Sequence, residues 1–345
     1  MNNIFKFFFK KKKNEIVESD VEVFEKGYEQ FHKDGKYNES AYYSMINMFC
    51  KTDGQFLLDK HNEIARNSPR KRISDNVDGV LGSLNKVEFD SFNQKLNSEG
   101  YVIFNKKIDP NIIERIKKFA IETPAYIVPV NNDGPMIYDE TNLKSEKYYF
   151  NDNQLANNVD IQKLIMDPTL INIARNYLEC EPIFDFPAMW WSTSYLKTPS
   201  THAAQQFHFD LDRLKWLKIF ILISDVTEET SPHFYIKGTH IPGNKPKSLL
   251  DRGYSRISDE DIESHYKKDD IVMITGKSGT VFAGDTKCWH KGSVVKSGHR
   301  LLLEFQYSSS LFGAECSSEY NVNNYTPEFK EFCQNNPYYS QKIKF

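Results

Sequence analysis

Cysteine is scarce in this chain and unpatterned. Cys50, Cys180, Cys288, Cys316 and Cys333 are an odd five, widely spaced and without a Cys-x-x-Cys pair. That excludes a disulfide framework or a zinc ribbon and fits a reducing, cytoplasmic setting. Long apolar runs are missing too: the longest, Ile219 to Ile223, is strand-sized, far short of the about 18 residues a membrane-spanning helix needs. Neither sign of charge is in excess, since 44 Lys+Arg against 47 Asp+Glu leave a net charge of -3. Such a surface has no general electrostatic pull toward nucleic acid, and no nucleic-acid partner is expected. No internal repeat is visible, which argues against a solenoid or propeller.

What is present is a folded composition, 39% hydrophobic and 14% aromatic against 26% charged over 345 residues. The length suits one large domain, or one domain with an extension. At the N-terminus, Ile4 to Phe9 precede Lys10 to Lys13, the reverse of a signal peptide. This Phe/Lys segment reads as a basic tail, with contact to an anionic membrane surface as its second use. Residues 1–85 lean to helices broken by Asp34-Gly35, Asp53-Gly54 and Ser68-Pro69, and are expected to form an N-terminal helical extension to a main domain over 86–345.

In that domain, Tyr101 to Phe104 reads as a strand and Asp109-Pro110 opens a helix, with Asp109 as N-cap. Residues 121–160 read as polar loops, and a helix is expected around Pro168 to Leu178. Seven short strands follow: Ala188–Leu196, Ala204–Asp210, Trp216–Ser224, His233–Ile236, Ile271–Ile274, Thr280–Ala283 and Leu301–Tyr307. Helices first and strands after, without alternation, argue for an antiparallel sandwich or jelly roll. A long insertion from His240 to Lys268 is placed to cover a site.

Chemistry concentrates in the second strand. Gln206, His208 and Asp210 project to one face while Phe207 and Phe209 project to the other, so an imidazole and a carboxylate can share one metal. The third ligand candidate is His290. Two His and one carboxylate on one face of an ion form the arrangement of non-haem Fe(II) oxygenases. A second His-x-Asp, His32-Lys33-Asp34, sits in a polar turn and lacks the strand pattern. Ten residues past His290, Arg300 opens the last strand and offers a planar fork to a carboxylate.

These segments resemble the Fe(II)- and 2-oxoglutarate-dependent oxygenases, within them the phytanoyl-CoA dioxygenase-like branch. The resemblance runs from about Glu99 to Phe312 and is carried by Glu99-Gly100-Tyr101-Val102, His208-Phe209-Asp210, Ile223-Ser224-Asp225-Val226, Ile236-Lys237-Gly238-Thr239-His240, Gly279-Thr280-Val281-Phe282, Asp285, His290-Lys291-Gly292 and Arg300. It implies a mainly β fold with flanking helices, a cupin-like double-stranded β-helix or jelly roll. It also implies Fe(II) on His208, Asp210 and His290, Arg300 on the distal carboxylate of 2-oxoglutarate, O2 as oxidant, and release of succinate and CO2. The presence of Asp210 favours hydroxylation over halogenation.

Lys218, Ser293 and Ser308 are further candidates for cosubstrate contact, and Gln206, Trp191 and Tyr195 for substrate contact. Asp285 is a candidate to orient the loop that carries His290. The expected function is hydroxylation of an aliphatic carbon in a small-molecule, carrier-bound or glycan-type metabolite. Its rivals are a catalytically silent jelly-roll binding protein and a cupin-type metal isomerase or hydrolase, and dependence on 2-oxoglutarate separates the three.

Overall fold

Past residue 180 the apolar runs become strands because both of their faces find cover. The computed structural model describes residues 19–69, 71, 76–129, 134–315 and 319–345. The N-terminal Phe/Lys segment and Cys316 lie outside the described residues. In chain order the strands of the two larger sheets are β1 (Tyr101–Lys107), β2 (Tyr126–Val128), β3 (Lys147–Tyr149), β4 (Ile183–Thr193), β5 (Trp216–Leu222), β6 (His233–Ile236), β7 (Ile271–Ile274), β8 (Thr280–Gly284), β9 (His290–Lys291) and β10 (His299–Ser308). They form an antiparallel seven-stranded sheet in the order β1-β8-β5-β10-β4-β3-β2 and a three-stranded sheet, β9-β6-β7. The architecture is the expected jelly roll with flanking helices.

Alternation sorts the side chains. Leu217, Ile219 and Ile221 of β5, with Leu301, Leu303 and Phe305 of β10, face outward into a core closed by helices. Those helices include α4 (Lys86–Glu99), α5 (Pro110–Glu122) and α6 (Pro168–Leu178). Phe220, Leu222, Leu302 and Trp190 face inward, against Tyr235 and Ile274 of the small sheet. Local chemistry sets the helix ends. Asn85 and Glu88 form a reciprocal capping box at the start of α4, and Asp109 and Asp167 cap α5 and α6, each ahead of a proline. Gly100 ends α4 at φ 84°, and a Cβ there would run into Cys288 Sγ.

The N-terminal helices α1 (Ser19–Asp34), α2 (Glu39–Thr52) and α3 (Gln55–Asn67) pack through Phe24 and Phe49 into a second cluster with Phe207, Phe209, Trp216 and Trp289. They therefore lie on the reverse side of the His-x-Asp segment. Asp53, in the left-handed turn after α2, accepts from the backbone N–H of Gly243 (2.7 Å) and Lys245 (3.0 Å), which ties the start of the insertion to the helices. Among the described residues, no helix is long and apolar enough to cross a membrane.

Candidate functional site

The segment expected as a strand over Ala204–Asp210 is not a regular one. Thr201–Ala204 form a turn with Ala204 at φ 56°, and only Phe207 and His208 are bridged, to Ile257 on one side and His290 on the other. The alternation nevertheless holds, because extended backbone suffices for it: Phe207 and Phe209 enter the outer cluster, and His208 and Asp210 face inward.

His208 and His290 exchange both backbone hydrogen bonds, at 3.0 and 2.8 Å, which sets their rings 4.3 Å apart. Asp210 is held by its own N–H to Thr286 O at 2.8 Å. His208 Nε2 lies 3.7 Å from Asp210 Oδ1, and His290 Nε2 lies 3.7 Å from Asp210 Oδ2. The three ligand atoms all fall within 4.8 Å of one another. His208 Nδ1 meets Gln206 O at 2.8 Å and His290 Nδ1 meets Cys288 O at 3.0 Å. A carbonyl only accepts, so both Nδ1 atoms carry the proton and both Nε2 lone pairs face the carboxylate, as a metal requires. Burial pushes both imidazoles below their ordinary range, keeping them neutral. Burial would raise Asp210, but the Lys218 ammonium, which also hydrogen-bonds the carboxylate, outweighs it and holds the carboxyl below its usual range.

The loop behind His290 is fixed from below. Asp285, fully buried, accepts from Tyr177 OH at 2.5 Å and from Lys287 N at 2.8 Å, and its carbonyl accepts from Cys288 N. Its expected role in orienting that loop has a structural basis. Tyr235, the cross-strand partner of His290, stacks on its ring at 5.6 Å.

Arg300 lies inside the jelly roll, opposite Ser192 of β4. Its Nη1 donates to Ser231 O and its Nη2 to Ser192 Oγ at 3.3 Å, both neutral acceptors, while Nε is buried without a hydrogen bond. Among the described residues no carboxylate comes within ion-pair distance of it. Burial alone pushes Arg300 down to about 9, still charged at neutral pH. A buried cation without a counter-ion is costly, and an incoming carboxylate relieves that cost. Lys147, in the stretch expected as polar loops, pairs with the same Ser192 from β3. Its ammonium sits 4.3 Å over the Trp190 ring. Burial, followed by the Arg300 charge, pushes Lys147 down to about 7. His233 is also buried in this interior, against Phe220 and Phe282.

Several expected contacts fall elsewhere. Lys218 does point inward, but its ammonium meets Asp210, Asp212 and Glu304 at 2.9, 3.2 and 3.4 Å, so protein carboxylates already occupy it. Ser293 stays near Arg300: its carbonyl accepts from Ser231 Oγ, and its own hydroxyl reaches Pro232 O at 3.2 Å. Ser308 shares the Arg300 face but lies eight residues along β10, about 27 Å away at strand rise. There it joins Gln306, Arg213 and Lys342 around Asp185. Trp191 faces the outer core, stacked on Tyr138 at 4.3 Å, and Trp190 takes the inward position. Tyr195 lies beyond the end of β4 and is 50% exposed. Gln206 contributes its carbonyl to His208.

The Asp185 cluster yields a control. Burial would raise this carboxyl, but Arg213 and Lys342 hold it below the ordinary range, so its stabilisation is fully present above the ordinary range and is lost as pH falls below that range toward the lowered value. Asp185→Asn should cost about 3–5 kcal/mol in denaturant unfolding at pH 7, as for a broken buried ion pair. Ser308→Ala, by contrast, should leave 2-oxoglutarate affinity unchanged in a binding titration.

The family model described as phytanoyl-CoA dioxygenase (PhyH) matches residues 96–301. No curated protein matches the chain in sequence. Among solved structures, EctD from S. alaskensis in its apoform is similar at 16% identity, covering 72% of this chain and 86% of that one, with a TM-score of 0.46. HygX from Streptomyces hygroscopicus, with nickel and 2-oxoglutarate bound, is similar at 15% identity, covering 70% and 93%, with a TM-score of 0.45. AviO1 from Streptomyces viridochromogenes Tue57 is similar at 12% identity, covering 65% and 96%, with a TM-score of 0.44.

Proposed function

The chain belongs to the phytanoyl-CoA dioxygenase family of Fe(II)- and 2-oxoglutarate-dependent oxygenases, and from that premise we propose that it hydroxylates an aliphatic carbon of a small-molecule, carrier-bound or glycan-type metabolite. His208, Asp210 and His290 hold the Fe(II). Arg300 and Lys147 receive the distal carboxylate of 2-oxoglutarate, with Ser192 between them. Iron and 2-oxoglutarate, when bound, supply the oxidising power, with O2 consumed and succinate and CO2 released. The protein's own part is to keep both imidazoles neutral through their backbone acceptors, to neutralise the incoming carboxylate with two cations, and to seal the interior with aromatic side chains.

The observation that carries this reading is the pairing of two features. One is an inward triad with both Nε2 atoms turned to a carboxylate; the other is a buried arginine whose acceptors among the described residues are neutral. The test is an anaerobic titration with Fe(II) and then 2-oxoglutarate, followed by the visible charge-transfer band that a chelated oxo acid gives. A band is expected. Iron binding without a band would point to another metal chemistry, and no iron binding would favour a silent binding protein.

Lys147 adds a pH signature. Its proton is lost near pH 7 in the free protein, and 2-oxoglutarate binding needs it back. The apparent Kd for 2-oxoglutarate should therefore rise above pH 7, approaching about tenfold per unit, while below pH 7 this group imposes no slope. Lys147→Met should bind more weakly at pH 7 and flatten that profile; titration of the band from pH 6 to 9 reads both.

A further inference from the structure

Lys218 is the one charged residue of β5, and the sheet holds it firmly. Its backbone is paired on both sides, with Gly284 of β8 and Gln306 of β10, so its inward direction is set by register. The side chain is buried, and its ammonium passes 5.9 Å from the Phe186 ring. At its tip three carboxylates converge: Asp210 Oδ2 at 2.9 Å, Asp212 Oδ2 at 3.2 Å and Glu304 Oε1 at 3.4 Å. An ammonium carries three N–H donors and no acceptor, so each carboxylate has one to take. Two of the three lie outside the proposed ligand set. Asp212 follows the His-x-Asp segment, and Glu304 shares the inward face of β10 with Arg300. The ammonium is therefore held in place by groups other than Asp210.

The consequence falls on Asp210, whose two oxygens are not equivalent. Oδ1 faces His208 Nε2 at 3.7 Å, while Oδ2 faces His290 Nε2 at 3.7 Å and also accepts from Lys218 Nζ at 2.9 Å. A dication and an ammonium on one oxygen repel each other, which directs the ion to the Oδ1 side. Before Oδ2 could ligate as well, a buried charge-assisted hydrogen bond would have to break. Carboxylates otherwise bind metals through one oxygen or two. The difference matters for a six-coordinate ion. Two imidazoles and one carboxylate oxygen leave three positions open, two for the oxo acid and one for O2. A carboxylate bound through both oxygens leaves two, and the oxo acid fills them.

We propose that Lys218 is a positioning residue, which restricts Asp210 to one ligating oxygen and so preserves the position that O2 needs. This rests on the reading of His208, Asp210 and His290 as the iron site. Asp212 and Glu304 are the fixtures of this device: they make a buried ammonium tolerable and keep it against Asp210 Oδ2.

The first readout is infrared difference spectroscopy of the full-length protein, with and without Fe(II), under anaerobic conditions. The antisymmetric and symmetric carboxylate stretches lie far apart when one oxygen ligates and close together when both do. The Asp210 bands are those missing from the same difference in Asp210→Asn. Wild type should show the wide separation, and Lys218→Met, which keeps the stem and removes the donors, should narrow it. That variant strands two buried carboxylates, so Lys218→Met/Asp212→Asn/Glu304→Gln is made beside it and should show the same narrowing. Asp212→Asn/Glu304→Gln, with the lysine in place, should keep the wide separation. The second readout adds 2-oxoglutarate and then nitric oxide, a stand-in for O2 whose Fe(II) adduct is seen by electron paramagnetic resonance. The 2-oxoglutarate midpoint should stay within about threefold in the triple variant, because Arg300 and Lys147 are untouched. Nitric oxide should bind the wild type, and the triple variant about tenfold or more weakly. A narrow separation in the wild type, a wide one in the folded triple variant, or nitric oxide binding that is absent from the wild type or equal in both would each overturn the proposal. A wild type that takes up no Fe(II) would instead overturn the iron reading beneath it.

Discussion

Asp210→Ala is expected to abolish 2-oxoglutarate decarboxylation and to weaken Fe(II) binding by more than about 100-fold, since loss of a second-sphere partner alone typically costs about 10–100-fold. The carboxylate is the single anion between two neutral imidazoles, 3.7 Å from each Nε2. Without it a divalent cation meets two neutral donors and the nearby Lys218 ammonium, which repels it. The fold should tolerate the change, because Lys218 keeps Asp212 and Glu304 as partners. Metal content after dialysis and the charge-transfer band are the readouts, with thermal unfolding as the control. Asp210→Glu keeps the charge and should retain part of the metal affinity. Full decarboxylation activity in Asp210→Ala would remove Asp210 from the ligand set.

How far the sequence disclosed this site depended on whether each meaning was local. His208 and Asp210 were legible because extended backbone alone puts them on one face, opposite Phe207 and Phe209. His290 and Arg300 were legible from their spacing and order. The phase of the interior was not. Trp190 rather than Trp191 faces inward because Ser192 pairs with Arg300, and no pattern within β4 encodes that register. Ser308 obeys the even spacing from Arg300, yet strand length carries it to the opposite end of the sheet, past an irregularity between Gln306 and Tyr307. Lys147 sits on a three-residue strand inside a polar stretch, and only the pairing with β4 gives it a role. Lys218, a candidate for cosubstrate contact from its sequence position, points inward, and long-range contacts with Asp210, Asp212 and Glu304 decide its partners. Helix ends, by contrast, follow from adjacent residues, and the helix over Pro168–Leu178 has the expected bounds.

Arg300→Met should separate binding from folding more cleanly than any other single change. In the free protein Arg300 is a buried cation bonded to two neutral oxygens, with Nε unsatisfied. Removing it relieves a desolvation cost and leaves Ser231 O and Ser192 Oγ short of a donor, two effects of a few kcal/mol that oppose each other. Thermal stability of the apoprotein should therefore change little. The affinity for 2-oxoglutarate should fall by about 100-fold, the consequence of losing one side of a buried charge-assisted contact of about 2–5 kcal/mol. The two expectations meet in one experiment. A ligand at 100 times its Kd stabilises the folded state by about 2.7 kcal/mol, so saturating 2-oxoglutarate with a redox-inert divalent metal should raise the melting temperature of the wild type. At the same concentration Arg300→Met should show little of that rise, while starting from a similar baseline. A variant that melts early with its ligand-induced shift intact would make Arg300 a structural residue and move the anchor to Lys147. A similar baseline with the shift lost would fix the cosubstrate end of the cavity at Arg300.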